Sequence, residues 1–217
     1  MKKIKAVLFD MDGVLIDSET FYMEGMYKWM QEIGFKGSIE EIYTVIGTNM
    51  KTTYEMLQKM MNNKVSIKEL EQANNSYFAK HPLDFKSIMI PGALDLMKSL
   101  KSKGIKMAVC SSSPKDNIDT VMEVCGFKEY LDFEISGDQL KHSKPAPDIY
   151  LKASEVLNVT SDECIVIEDS TIGIEAGKNA NMIVIAYKND KFKQDQSYAN
   201  YSFKSMQEIS DFIDGLI

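Results

Sequence analysis

Cysteine is scarce in this 217-residue chain, which carries only Cys110, Cys125 and Cys164. An odd number, widely spaced and without a C-x-x-C pair, indicates neither a disulfide framework nor a zinc site. Each reads as a small core residue, and a reducing, cytoplasmic setting is expected. Histidine is scarcer still: His81 and His142 are too few and too separated for a histidine mechanism, and His142 reads as a loop residue. No apolar run approaches the roughly 18 residues of a membrane span. The opening M-K-K-I-K-A-V-L-F-D is basic and then apolar. Its apolar part is too short for a signal peptide and meets acidic residues without a small-residue cleavage site, so a buried strand is expected. Positive charge is also short. Lys and Arg total 25 against 32 Asp and Glu, a net charge of −7, and such a surface repels nucleic-acid backbones and anionic lipid. Neither nucleic acid nor membrane is an expected partner, and a monomer is the default. A phosphate-bearing ligand would need local positive charge, most simply a metal ion.

What is present is enough apolar material for a real core, 44% of the residues. Short apolar runs at 4–9, 105–110, 164–167 and 182–186, with a weaker one at 133–135, are too short for helices and rich in Val and Ile. Strands buried on both faces of a parallel sheet have this composition. Between them lie helix signals: Pro91-Gly92 opens 93–103 and Gly104 stops it, Pro114 stands at a first helical position and Gly126 ends that helix, and Pro145-Ala146-Pro147 opens another to about Asn158. The alternation predicts an α/β fold, a doubly wound, Rossmann-like parallel sheet. From Ser18 to Asp84 only helical periodicity appears, with Phe21, Met26, Trp29, Met30 and Ile33 on one stripe and Tyr54, Leu57, Met60 and Met61 on another. That block is too long for a βα connection. The expected organisation is therefore a core of residues 1–17 plus 85–217 and an inserted helical domain of 18–84. The polar stretch 188–202 is expected to be a surface loop.

The first strand ends in Phe9-Asp10-Met11-Asp12-Gly13-Val14, two carboxylates at the strand end where open parallel sheets bind ligands. Alone, D-x-D-G reads as readily as a solvated acidic turn. A second pair, Glu168-Asp169-Ser170, follows the run 164–167 at the same sheet edge. Three or four carboxylates on one rim repel one another unless a cation sits among them, and such hard oxygen ligands suit Mg²⁺. Ser111 and Ser112, in C-S-S-S-P, lead into a helix N-terminus and could bind phosphate, though serines there also serve as helix caps. Lys144, in K-P-A-P-D, supplies a cation just before two stiffening prolines, where an isolated loop lysine is ordinarily solvated.

Together, D-M-D-G-V at 10–14, Ser111, Lys144 and E-D-S at 168–170, in this order, resemble the haloacid dehalogenase-like hydrolase superfamily. The subgroup with a helical cap inserted after the first motif, that of β-phosphoglucomutase and the sugar-phosphate phosphatases, is the most similar. The resemblance implies that Asp10 attacks phosphorus to form an aspartyl-phosphate and that Asp12 is first general acid and then general base. It further implies that Ser111 and Lys144 hold the phosphoryl oxygens. Mg²⁺ would be bound by Asp10, the backbone carbonyl of Asp12 and Asp169, with Glu168 a direct or outer ligand. The dehalogenase branch lacks an acid at the Asp12 position, so phosphate esters are favoured over haloacids.

What attacks the phospho-enzyme decides between phosphatase and mutase. By the same resemblance, a mutase carries a cap histidine where Tyr22 stands, an arginine where Met50 stands beside Lys51, and a lysine near Ala73. These departures favour a phosphatase acting on a small phosphorylated metabolite, with a β-phosphoglucomutase-type activity as the alternative, since Lys51 could partly substitute. A silent phosphometabolite-binding module is the reading outside enzymes, and the presence of both Asp10 and Asp12 argues against it. Tyr22, Met26, Met50 and Lys51 are candidate substrate-facing residues, although Tyr22 and Met26 also fit the apolar stripe. Hinges are expected near 16–18 and 84–90, and the identity of the substrate is left open.

Overall fold

Alternate residues of the first apolar run face opposite ways, and both directions are dry. In the computed structural model, which describes residues 3–46, 48, 50–188 and 194–217, β1 (Ala6–Phe9) sends Val7 and Phe9 into one apolar layer and Ala6 and Leu8 into another. A strand covered on both faces has no use for polar side chains, which accounts for the unbroken A-V-L-F.

The chain divides into two compact units, Met1–Asp17 with Phe85–Ile217 and Ser18–Asp84. The second is helical: α1 (Ser18–Glu32), α2 (Ile39–Tyr43), α3 (Met50–Met60) and α4 (Ile67–Lys80). Its core gathers Met26, Trp29 and Met30 of α1, Leu57 of α3, and Leu70 and Tyr77 of α4. Gly25 allows α1 and α4 to pack closely, since a Cβ there would lie 2.7 Å from the Phe78 ring. Helix α4 starts on a capping box in which Ser66 and Glu69 each accept the other's backbone N–H.

The first unit adds α5 (Ala93–Ser102), β2 (Lys106–Ser111), α6 (Lys115–Val124), β3 (Phe133–Ser136), α7 (Asp148–Val156), β4 (Cys164–Glu168), α8 (Thr171–Asn179), β5 (Ile183–Tyr187), β6 (Tyr201–Phe203) and α9 (Met206–Asp214). The six strands are all parallel, in the order β3-β2-β1-β4-β5-β6. This is the doubly wound, Rossmann-like order, which reverses between β1 and β4 and leaves a crevice beyond their carboxyl ends. Leu96, Ile118 and Ile209 of α5, α6 and α9 cover one face, and Ile149 and Ile174 of α7 and α8 the other. All three cysteines are buried and free. No helix among the described residues is long and apolar enough to cross a membrane.

Both connections to the helical unit are tied to each other in the first unit. Ile16 bridges Met89 in antiparallel sense, Ile90 N–H donates to Leu15 O at 2.9 Å, and Asp17 N–H donates to Ile88 O at 2.8 Å. The outer parts of both expected hinge segments are therefore hydrogen-bonded pairs. The stretch expected as a surface loop also needs correction, because its end, Tyr201-Ser202, belongs to β6. A three-residue edge strand offers too little alternation to stand out. Its middle, residues 189–193, lies outside the described residues. Helix α9, which the apolar pattern did not single out, is announced by a capping box of Ser205 and Glu208.

Trp29 is the chain's single tryptophan, so its fluorescence reports the helical unit. Leu57 is fully buried in the same core, and Leu57→Ala should cost about 2–5 kcal/mol. The expected result is a lower urea midpoint by Trp29 fluorescence; an unchanged midpoint would contradict this packing.

Candidate active site

Sheet register brings the acidic residues together. Phe9 pairs with Val109 of β2 and Ile167 of β4, so the next residues, Asp10, Cys110 and Glu168, stand level at the carboxyl edge. Asp10 N–H donates to Ile167 O at 3.0 Å, extending the ladder by one bond. Asp10, Glu168 and Asp169 are all buried, and each offers a carboxylate oxygen within 4.8 Å of the others. The turn after β1 passes so close that a Cβ on Gly13 would lie 2.1 Å from Asp169 Oδ2. Gly13 also has φ +82°, so a side chain there is barred twice.

Lys144 precedes α7, yet its side chain is only 4% exposed. Its ammonium donates to Asp10 Oδ1 at 2.5 Å, Glu168 Oε1 at 2.7 Å and Cys110 O at 3.0 Å. It also lies 5.1 Å from the centroid of the Tyr150 ring. Asn179 of α8 holds this loop by donating to Pro145 O at 3.0 Å. Glu168 is completely enclosed. Its Oε1 accepts from Lys144 and from Tyr150 OH at 2.9 Å. Its Oε2 accepts from Asp169 N–H, Ser170 N–H and Ser170 Oγ at 3.0–3.1 Å.

These environments drive two neighbouring carboxyls in opposite directions. Burial pushes Asp10 up to about 8, against the pull of Lys144 and with the repulsion of Glu168 and Asp12. Burial would raise Glu168 as well, but Lys144 and the hydrogen bonds from Ser170 and Tyr150 bring it below the ordinary glutamate range. Lys144 loses solvation too, yet Asp10 and Glu168 hold it well above the usual lysine value. Tyr150 is raised well above its usual value, chiefly by burial. The result is a fixed Lys144–Glu168 ion pair beside an Asp10 whose charge is not fully compensated.

Ser111 ends β2 and is buried, with its Oγ 3.4 Å from Asp12 Oδ2. Ser112 is exposed. Ser113, which the sequence reading did not assign, donates its hydroxyl to Asp12 Oδ2 at 2.7 Å. Tyr150 and Gln196 also escaped that reading. Gln196 Nε2 donates to Asp169 O at 2.6 Å and to Tyr187 O at 3.0 Å, bracing the backbone of the acidic turn. Nothing local marks Tyr150 or Gln196, whereas the S-S-S run did mark the neighbourhood of Ser113.

The structure thus brings Asp10, Asp12, Ser111, Lys144, Glu168 and Asp169 to one strand edge. The remaining candidate residues belong to the helical unit. Tyr22 is an exposed residue of α1, ringed by Phe21 and Phe78 with centroids 5.4–5.5 Å away. Met26 is buried in the helical core, and Ala73 packs partly against it. Met50 and Lys51 are exposed at the start of α3. Gly47 and Asn49, just before Met50 and on either side of Thr48, lie outside the described residues.

The donor set fits a hard divalent cation. Three clustered carboxylates outnumber the one buried ammonium, and an added cation would offset the burial and the carboxylate repulsion that together raise Asp10.

A family model described as haloacid dehalogenase-like hydrolase matches residues 7–187. The chain is 32% identical over 182 residues to the phosphorylated carbohydrates phosphatase of Thermotoga maritima, covering 82% of each chain. It is 34% identical over 196 residues to protein SUPPRESSOR OF QUENCHING 1, chloroplastic, of Arabidopsis thaliana. That match takes in 86% of this chain but only 18% of the plant protein's length. Among solved structures, a putative β-phosphoglucomutase from Thermotoga maritima is similar with a TM-score of 0.82 at 26% identity, covering 99% of this chain and 100% of that one.

The raised Asp10 value has a definite sign. In the metal-free protein the folded state keeps a proton that the unfolded chain loses near 3.8, so this group's contribution to stability should fall as pH rises from about 4 to about 8. Cation binding must expel that proton. Mg²⁺ affinity should therefore rise by up to about tenfold per pH unit below 8 and level off above it. Calorimetry at pH 7 in buffers of different ionisation enthalpy should show close to one proton released per ion; release near zero would mean Asp10 is already ionised.

Proposed function

This chain belongs to the haloacid dehalogenase-like hydrolases, and we propose that it is a Mg²⁺-dependent phosphatase that cleaves a small phosphorylated metabolite, a sugar phosphate or similar ester, through an aspartyl-phosphate on Asp10. The observation that carries this reading is the convergence of Lys144, Glu168 and Asp169 on Asp10, with Asp12 held two residues away by serine hydroxyls. A binding module would not need a second acid there. The Thermotoga relative's name supports a carbohydrate phosphate as substrate class.

In the first step an Asp10 oxygen bonds to phosphorus as the ester P–O bond breaks, and Asp12 gives its proton to the leaving oxygen. In the second, Asp12 takes a proton from water as the water oxygen bonds to phosphorus and the bond to Asp10 breaks. Lys144 and Ser111 bind the phosphoryl oxygens, and Ser112 is the weaker candidate because of its exposure. Asp10, Asp169 and the Asp12 carbonyl would hold Mg²⁺, which neutralises charge on the transferring group. Glu168 serves that site chiefly by charge and by fixing Lys144, because direct coordination would displace one of the five donors already on its oxygens.

Similarity to a putative β-phosphoglucomutase keeps a mutase as the second reading. A mutase must grip a second phosphate, and this chain contains no arginine at all, so the planar, bidentate grip suited to that task is missing. Tyr22 and Met50 carry no charge, and of the three candidate residues Lys51 could partly substitute.

A phosphate-release screen over hexose, polyol and nucleoside phosphates should show Mg²⁺-dependent, EDTA-sensitive turnover. Asp10→Asn should reduce it by about 10⁴-fold or more. Efficient conversion of β-glucose 1-phosphate to glucose 6-phosphate without phosphate release would establish the mutase instead, and undiminished turnover by Asp10→Asn would remove the nucleophile assignment.

A further inference from the structure

We propose that Gln196 is a positioning residue of the cation site: its side-chain amide ties the main chain at Asp169 to β5, and the turn so fixed raises Mg²⁺ affinity. The inference rests on the Mg²⁺-dependent reading, in which Asp169 is a ligand. It goes beyond that reading in assigning part of the affinity to a residue outside the carboxylate cluster.

β4 and β5 pair in parallel as far as Glu168 and Ala186. The next residues in that register are Asp169 and Tyr187, and there the ladder stops, because the chain after Glu168 turns into α8. At this level a side chain takes over. Gln196 Nε2 donates to Asp169 O at 2.6 Å and to Tyr187 O at 3.0 Å. Two carbonyl acceptors fix the orientation of the amide, since only its NH₂ end can donate to both.

The residue that bridges the two strand ends is itself anchored. Gln196 O accepts the Ala199 N–H at 3.1 Å, and Ser197 N–H donates to Asp195 Oδ1 at 3.0 Å, which folds 195–199 into a turn. Asn200 fastens that turn to β5: its N–H donates to Val184 O and its Oδ1 accepts the Val184 N–H, both at 2.9 Å. The same Oδ1 accepts from Lys178 of α8 at 3.0 Å. Gln194 adds weaker contacts to the acidic turn, its Oε1 accepting from Thr171 Oγ1 at 3.2 Å and Thr171 N–H at 3.4 Å.

Both main-chain polar groups of Asp169 are therefore held. Its N–H donates to Glu168 Oε2, and its carbonyl accepts from Gln196. The second bond fixes the backbone whatever the Asp169 carboxylate itself meets. A ligand on a loose turn has to be ordered when the ion binds, and the entropy lost then weakens binding. Gln196 sets that order beforehand. Groups that orient a ligand without meeting the metal ordinarily contribute about 10–100-fold to affinity. The alternative role for Gln196 is to secure the segment 194–200 to the core, which would affect stability and leave affinity alone.

Calorimetric Mg²⁺ titration of the full chain at pH 8, beside thermal melting of the metal-free protein, separates the two roles. Gln196→Ala should weaken Mg²⁺ binding by about tenfold or more. Phosphatase turnover at limiting Mg²⁺ should fall with it, and that loss should shrink as Mg²⁺ approaches saturation. Gln196→Glu keeps the length but presents oxygens in place of the N–H donors, so it should weaken binding at least as much; its added negative charge alone would tighten it. Affinity of Gln196→Ala within about threefold of wild type, whatever the melting temperature, or tighter binding by Gln196→Glu, would overturn the proposal. Asp169→Asn run in parallel tells the two ideas apart. If it weakens Mg²⁺ binding and Gln196→Ala does not, only the Gln196 role fails; if Asp169→Asn binds Mg²⁺ undiminished, the ligand assignment fails and the Gln196 role with it. Should Gln196→Ala not fold, Gln196→Glu decides alone: weaker binding upholds the role, and unchanged or tighter binding ends it.

Discussion

The buried ammonium of Lys144 is the interaction on which the rest of this site depends. It faces two carboxylates in a region from which water is nearly absent, where unit charges about 4 Å apart interact by about 4 kcal/mol even at an effective dielectric of 20. One cation cannot balance Asp10, Glu168 and Asp169 together. The surrounding hydrogen bonds decide how the shortfall is distributed. Glu168 receives five donors and keeps its charge. Asp10 shares Lys144 with it and is driven toward protonation. The shortfall therefore falls on Asp10, the residue proposed to bond to phosphorus. A divalent ion bound there would complete the balance and favour the ionised carboxylate.

The fold supplies this concentration of charge through register rather than through any single loop. β1 lies between β2 and β4, so residues more than 150 positions apart in the chain become neighbours when Phe9 pairs with Ile167. Below that level β1 and β4 are wholly apolar, because both faces are covered. Polar chemistry is confined to the rim, where the strands end and helix N-termini begin. Two glycines make room for it. Gly13 lets the backbone pass over Asp169, and Gly173 at the start of α8 leaves space for Glu168, whose Oε1 would be 1.7 Å from a Cβ at that position. A methyl group at either place would occupy the volume of a carboxylate.

This explains which features could be read from the amino-acid order. Asp10, Asp12, Glu168 and Asp169 were legible because acidic pairs directly after apolar runs contradict the local pattern, and the contradiction marks a strand end. The alternation of runs and helix signals gave the doubly wound sheet for the same reason. Tyr150 was not legible, since in D-I-Y-L it looks like one more apolar residue of an amphipathic helix; its hydroxyl matters only because Glu168 folds back to meet it. Gln196 acts from a polar stretch 27 residues beyond Asp169, and no local spacing encodes that reach. Ser113 was visible but ambiguous, because hydroxyls before a helix ordinarily cap it and only the coordinates show that this one does not. β6 is too short and exposed for any periodicity to announce it.

In the proposed reaction the polar groups described at the core's strand edge would address two things, the phosphoryl group and the proton of the leaving oxygen. Neither recognises the carbon skeleton of the ester. Such a core would be indifferent to the alcohol except through its basicity. Discrimination among such esters has to come from residues outside this cluster. The composition limits how that can be done: without arginine, no guanidinium is available to select a second anionic group. Hydroxyl-rich monophosphates, recognised by hydrogen bonds and aromatic faces, place the smallest demand on what this chain contains.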